Sequence, residues 1–163
     1  LKKPILLDKS IPNIMRVDQL KKNFYPIHFI CIVRNPYAIC EGVMRRSNQS
    51  AEVAAMFTIK CLEYQMKNIN LHKEICLFSY EDLCDNTTFT VNKIKKQIDE
   101  LYDINPNQKF KAHNFKTKKS MSIINLNDEK IKKIKKKDLV IINKHFNQNK
   151  KVLDFFNYKT ISY

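Results

Sequence analysis

The chain has 163 residues, 44% hydrophobic and 28% charged, with 30 basic against 16 acidic side chains for a net charge of +14. That length is about one ordinary domain, and the apolar fraction supports a packed core, so wholesale disorder is excluded. No apolar run approaches the ~20 residues of a membrane span or resembles a signal-peptide core. The charge is uneven, since residues 109–151 hold fourteen Lys and three acidic residues. An excess of this kind commonly meets an anion, although a chain rich in Lys and Asn is also what an AT-rich genome encodes.

Glycine is the most informative count. Gly42 stands alone, so neither a G-x-x-x-x-G-K-[ST] phosphate loop nor a G-x-G-x-x-G dinucleotide fingerprint is possible in these residues. The five cysteines are Cys31, Cys40, Cys61, Cys76 and Cys84, with no C-x-x-C spacing. They read as reduced, partly buried thiols in a reducing, cytoplasmic compartment. His28, His72, His113 and His145 are too scattered for a zinc site.

In chain order, Pro4–Leu7 is a short apolar stretch, and Ile14, Val17 and Leu20 at spacings of three predict a helix over 13–23. Residues 28–33, HFICIV, predict a strand buried on both faces. Asn35-Pro36 supplies an N-cap and a first-turn proline, so a helix starts at Pro36. Ser50 caps a helix of about twenty residues with Val53, Phe57, Cys61, Tyr64 and Asn68 along one side. ICLFSY (75–80) predicts a second strand. A helix over 87–102 carries the stripe Val91, Ile94, Ile98 and Leu101, and Asn105-Pro106 ends it. Residues 107–127 read as a long basic loop. Residues 128–146 read as a helix with Ile131, Ile134, Ile141 and Ile142 as core candidates, and a last segment carries Phe155, Phe156 and Tyr158.

Strands alternating with helices predict an α/β domain with a parallel sheet. Its sharpest feature is the junction FICIV-R-N-P, where a buried strand ends on Arg34 and a capped helix begins. Ligands of open α/β sheets bind beyond the carboxyl ends of the strands, and a helix N-terminus favours an anion. Arg34 adds a guanidinium able to grip phosphate with two parallel bonds. Pairing with a surface carboxylate would explain the same arginine equally well.

The ordered set of motifs resembles the sulfotransferase family, whose members use 3'-phosphoadenosine 5'-phosphosulfate as sulfuryl donor. Its pieces are an apolar strand followed by Lys9-Ser10 and Pro12-Asn13, a helix with Leu20, Tyr25-Pro26, the strand into Arg34-Asn35-Pro36, SYEDL at 79–83, and a basic loop, a helix and Phe156–Tyr158. The resemblance implies a three-layer fold like that of the P-loop NTPases, a parallel sheet flanked by helices, with residues 1–163 forming the C-terminal portion of a single such domain. The N-terminal loop that grips the 5'-phosphosulfate would lie outside these residues, and the chain alone is expected to show little activity.

The resemblance also implies roles. Arg34 would bind the 3'-phosphate. Gly42 stands eight residues on, where a phosphate-binding Ser is usual, so the hydroxyl is lost; a small residue where two helices touch is the alternative. Arg45 and Arg46 could compensate. Lys9 would stabilise charge on the leaving phosphate. Tyr80 would pack beside the nucleotide, or fill the core at a strand end. Ser120, in the basic loop, would touch the donor. The catalytic His of some members is replaced by Ile11, and no other base is assigned. The acceptor would be a hydroxyl or an amine. Some relatives are Golgi-resident, with an anchor upstream.

Two rival readings remain. One is a non-enzymatic basic module for nucleic acid or another polyanion; the lack of aromatics interleaved with the lysines argues against nucleic acid. The other is a degenerate sulfotransferase-fold interaction protein, to which Gly42 points.

Overall fold

A computed structural model describes residues 5–109 and 122–162. Two strands, β1 (Ile30–Val33) and β2 (Cys76–Ser79), pair in parallel, with Ile30 opposite Cys76 and Val33 opposite Ser79. A parallel pair needs a crossover. It is supplied by α2 (Pro36–Ser47) and α3 (Ala51–Leu71), after a short α1 (Val17–Asn23) that precedes β1. Beyond β2 come α4 (Tyr80–Asp85) and α5 (Thr87–Gln97), then α6 (Asn127–Ile131), α7 (Lys136–Gln148) and α8 (Lys150–Phe155). The chain is therefore mixed α/β and mostly helical. The described residues form a two-stranded sheet and not the broader three-layer sheet expected.

The caps read from the sequence form. Asn35 Oδ1 accepts the Tyr37 N–H at 3.0 Å, and Ser50 Oγ accepts the Val53 N–H at 3.2 Å. Each satisfies a donor that the first helical turn leaves without a partner. Ser79 caps α4 in the same way, a helix the periodicity did not predict because it is only six residues long.

Three helices depart from expectation. The helix predicted over 13–23 is a 3-10 turn at Ile11–Met15 followed by α1. The one predicted over 87–102 stops at Gln97 and tightens into a 3-10 turn at Asp99–Leu101. The one predicted over 128–146 breaks between α6 and α7, and Ile141 lies exposed while Ile142 is buried. In α3 the stripe Val53, Phe57, Cys61, Tyr64 and Asn68 is exposed at its start and half-buried at Cys61, Tyr64 and Asn68. Ala51, Ala54, Ala55, Thr58, Ile59 and Leu62 face inward, while Val53 and Phe57 are exposed. Small residues on the inner face let α2 and α7 approach closely. The resulting core joins Tyr37, Cys40, Ala54, Ala55, Leu139, Ile142 and Phe146, with the Tyr37 and Phe146 rings edge to face at 4.9 Å.

The sheet is covered unequally. Strand side chains alternate between faces. Cys31, Val33 and Leu77 pack with Leu62, Val152 and Phe156 from α3 and the α8 segment. On the opposite face, Cys76 and Phe78 meet Ile94 on α5 and Ile98 just beyond it. Ile30 and Ile32 share that second face but lie beyond its cover, and Ile32 is 47% exposed. The strand read as buried on both faces is therefore open on one. The edge of β1 away from β2 is partly blocked by Gln65, whose Nε2 donates to Ile32 O at 3.2 Å. Residues 5–10 form no strand, and Ile5, Leu6 and Leu7 are exposed.

At the N-terminal end of β2, a charged cluster ties α1 to the end of α3. His72 Nε2 lies 3.1 Å from Asp18 Oδ1, and Lys21 reaches both His72 Nδ1, at 3.4 Å, and the Glu74 carboxylate. The five cysteines are unpaired thiols, and burial pushes those of Cys31 and Cys40 up to about 12, hydrogen bonds opposing only in part. Among the described residues no group of His, Cys, Asp and Glu is arranged to hold a metal, and no helix is long and apolar enough to cross a membrane.

Candidate functional site

The parallel register sets the site. With Val33 opposite Ser79, the next residues of the two chains, Arg34 and Tyr80, leave the sheet side by side at its carboxyl end. The Arg34 guanidinium carbon sits 4.0 Å from the centroid of the Tyr80 ring, a cation–π contact. Arg34 Nε donates to Asn127 Oδ1 at 2.8 Å, so the fork is held from one side by α6 and along one face by the ring. Its Nη2 is buried and has no hydrogen-bond partner among the described residues. A buried donor left empty costs free energy, and such a group marks a position where an acceptor is expected.

Glu81 gathers the surrounding donors. Its Oε1 accepts the Asn35 backbone N–H at 2.8 Å and the Asn127 side-chain amide, and its Oε2 accepts the Tyr158 hydroxyl at 3.1 Å. One carboxylate thereby joins the β1–α2 junction, α6 and the segment after α8. Asn157, with φ at 59°, lies in the left-handed region and turns the chain after α8, so that Tyr158 N donates back to Leu153 O at 3.0 Å and its ring points inward. Burial, followed by the charge of Glu81, holds the Tyr158 hydroxyl far above its usual pKa. It is therefore a neutral donor throughout the physiological range. The Tyr80 hydroxyl donates to Ile124 O at 2.8 Å and accepts the Leu126 N–H at 3.3 Å. Its pKa is raised as well, chiefly by burial.

These bonds revise one expectation. The α2 N-terminus does not present all its donors to a ligand, because Glu81 takes the Asn35 N–H and the Asn35 side chain takes that of Tyr37. An incoming phosphate would find its strongest open donor on Arg34.

Of the other sequence candidates, Lys9 and Gly42 lie among the described residues. Lys9 lies in an exposed loop organised by Asp8, which accepts from Ser10 Oγ at 3.3 Å and Asn13 Nδ2 at 2.8 Å. No hydrogen bond or ion pair among the described residues joins Lys9 to Arg34. Gly42 is buried on α2, and among the described residues a Cβ there would meet only the Arg46 guanidinium, at 3.4 Å. Its neighbour Glu41 pairs with Arg45 Nε at 2.7 Å and Lys130 Nζ at 3.4 Å. Arg45 is thereby committed to Glu41. Ser120 falls outside the described residues.

Sequence reasoning assigned no role to Glu81, Asn127 or Tyr158. Glu81 stands beside the nominated tyrosine in SYEDL, and an acidic residue in a helix's first turn is a usable signal. Asn127 and Tyr158 belong to no periodic pattern. No protein-family model, curated protein or solved structure matches the chain.

Proposed function

We propose that the chain supplies the 3'-phosphate site of a sulfotransferase-type enzyme, with 3'-phosphoadenosine 5'-phosphosulfate as co-substrate and a hydroxyl or amine as acceptor. The observation that carries this reading is Arg34 at the carboxyl end of a parallel pair, with Nε and ring face held and Nη2 buried without a partner among the described residues. A phosphate oxygen would fill that donor, and the fork geometry of arginine suits a phosphate better than an ammonium would. Tyr80 would flank the nucleotide. Asn127 would keep the guanidinium turned toward it. In transfer the sulfuryl group passes in line from the donor phosphate to the acceptor oxygen or nitrogen, which gives up its proton. In this proposal Lys9 offsets charge on the leaving phosphate, and Gly42 and Ser120 line the donor site, as the sequence resemblance suggests. The parallel sheet of the full three-layer fold is part of the same proposal.

Calorimetric titration with 3',5'-bisphosphoadenosine tests it, with adenosine 5'-monophosphate as the ligand lacking the 3'-phosphate. Arg34→Ala is expected to weaken the bisphosphate about 30–100-fold, the loss of a charge-assisted pair, while leaving the monophosphate unchanged. Arg34→Lys should recover only part of the affinity. Equal binding by wild type and Arg34→Ala, or no binding by the folded wild type, would overturn the reading.

A further inference from the structure

Lysines that the Arg34 site does not use concentrate in one stretch of the chain. Residues 130–151 contain nine Lys and a single acidic residue, Asp138. Helix α7 orients this run. Leu139, Ile142 and Phe146 are locked into the core, so its opposite face is fixed toward solvent. By the helical period, that outer face carries Lys137, Val140, Ile141 and Lys144. Lys132, Lys133, Lys135 and Lys136 lead into it, and Lys150 and Lys151 follow it, all exposed.

The nearby carboxylates lie to the side. Asp138 and His145, which faces Glu52 of α3 at 3.7 Å, sit about a quarter-turn or more from the Lys137–Lys144 line. Asp128 and Glu129 lie at the start of α6, and Asp154 is on α8.

Two aliphatic side chains stand in the middle of this basic face. Val140 is 56% and Ile141 39% exposed. A phosphodiester backbone would satisfy the lysines but leave Val140 and Ile141 wet. No aromatic ring on the face is available to stack on bases. An anionic bilayer surface satisfies both features, since lysines are drawn to acidic headgroups while short apolar side chains enter the headgroup–acyl boundary. We infer that the outer face of α7 is a peripheral docking surface for a membrane rich in acidic phospholipid, lying parallel to it with Val140 and Ile141 inserted.

Flotation of the 163-residue chain with phosphatidylcholine vesicles, with and without about one third phosphatidylserine, tests this at low and physiological salt. Binding is expected only with phosphatidylserine, and it should weaken as salt rises. Lys137→Glu/Lys144→Glu should reduce it by at least about 25-fold, about fivefold for each lysine lost. Val140→Ser/Ile141→Ser should reduce it several-fold while preserving its salt dependence. Both pairs are exposed, and a thermal melt confirms that each variant is folded. Failure to float with acidic vesicles at low salt would overturn the proposal, as would serine variants that bind like wild type. Retention of duplex DNA but not of vesicles would reassign the face to a nucleic acid backbone.

Discussion

The two ends of strand β2 carry polar clusters of opposite character. At its N-terminal end, Asp18, Lys21, His72 and Glu74 form ion pairs whose carboxylates are largely exposed. At its C-terminal end, Arg34, Glu81, Asn127 and Tyr158 form a half-buried network that draws residues from four distant parts of the chain. Water and salt screen the first, and ion pairs of that kind usually contribute little. The second is shielded, so each of its bonds matters more, and Arg34 Nη2, empty among the described residues, is costly. Two groups of similar composition thus play different parts. One fastens α1 to the end of α3, and the other holds a guanidinium ready for an anion.

The largest effect that would sharpen this contrast is expected from Glu81→Ala. It strands three donors, and thermal denaturation should show a loss of about 3 kcal/mol, or ~6–12 °C in Tm for a chain of this size. Glu74→Ala, at the other end of the strand, should change Tm little, and less still at high salt. Equal shifts from the two variants would break the comparison.

Glu41 gives an intermediate case with a pH signature. Burial alone would raise its pKa, but the Arg45 hydrogen bond and the charges of Lys130 and Arg45 together hold it below the usual 4.5. A depressed carboxylate stabilises the fold above its unfolded pKa, and that contribution is lost as pH falls through the folded value. Glu41→Gln should therefore cost about 2 kcal/mol at neutral pH. The gap from wild type should close as pH is lowered below 4.5. Denaturant melts across that range check it, and a gap independent of pH would contradict the assignment.

A smaller effect than that of Glu41 concerns Gly42. A glycine inside a helix costs about 1 kcal/mol relative to alanine, and among the described residues the only neighbour its Cβ would meet is the flexible end of Arg46. Gly42→Ala should raise stability by about that amount. Gly42→Ser restores the hydroxyl that the resemblance expects there. If the Arg34 site extends along α2, Gly42→Ser should tighten 3',5'-bisphosphoadenosine binding while Gly42→Ala should not.

Local chemistry made the junction legible in the sequence. Asn35-Pro36 and Ser50 announce their helices through capping, and a short apolar run before Arg34 announces a strand. The pairing of Arg34 with Tyr80 followed from two strand ends that proved to be in register. Asn127 and Tyr158 stayed hidden because their roles depend on where the chain returns after long excursions. The inner face of α3 was not legible for a different reason: close helix packing selects its alanines, while Val53 and Phe57 stay exposed. The openness of β1 was equally invisible, since a sequence of β-forming residues does not say how far α5 will reach across the sheet.

The Tyr37 hydroxyl donates to Asn143 Oδ1 and accepts the Ile161 N–H at 3.0 Å, while Asn143 Nδ2 donates to Ile161 O at 2.9 Å. Tyr37 and Ile161 are 124 residues apart, and Glu81 and Tyr158 are 77 apart. Closing loops of that length costs chain entropy before any contact repays it. The helical core of α2, α3 and α7 closes a loop of the same kind, since it brings Tyr37 against Phe146. Bonds absent from the folding barrier leave the folding rate nearly unchanged and slow the reverse step. If the clasp around Tyr37 closes after that barrier, it acts mainly on the lifetime of the finished fold and little on the speed at which it forms.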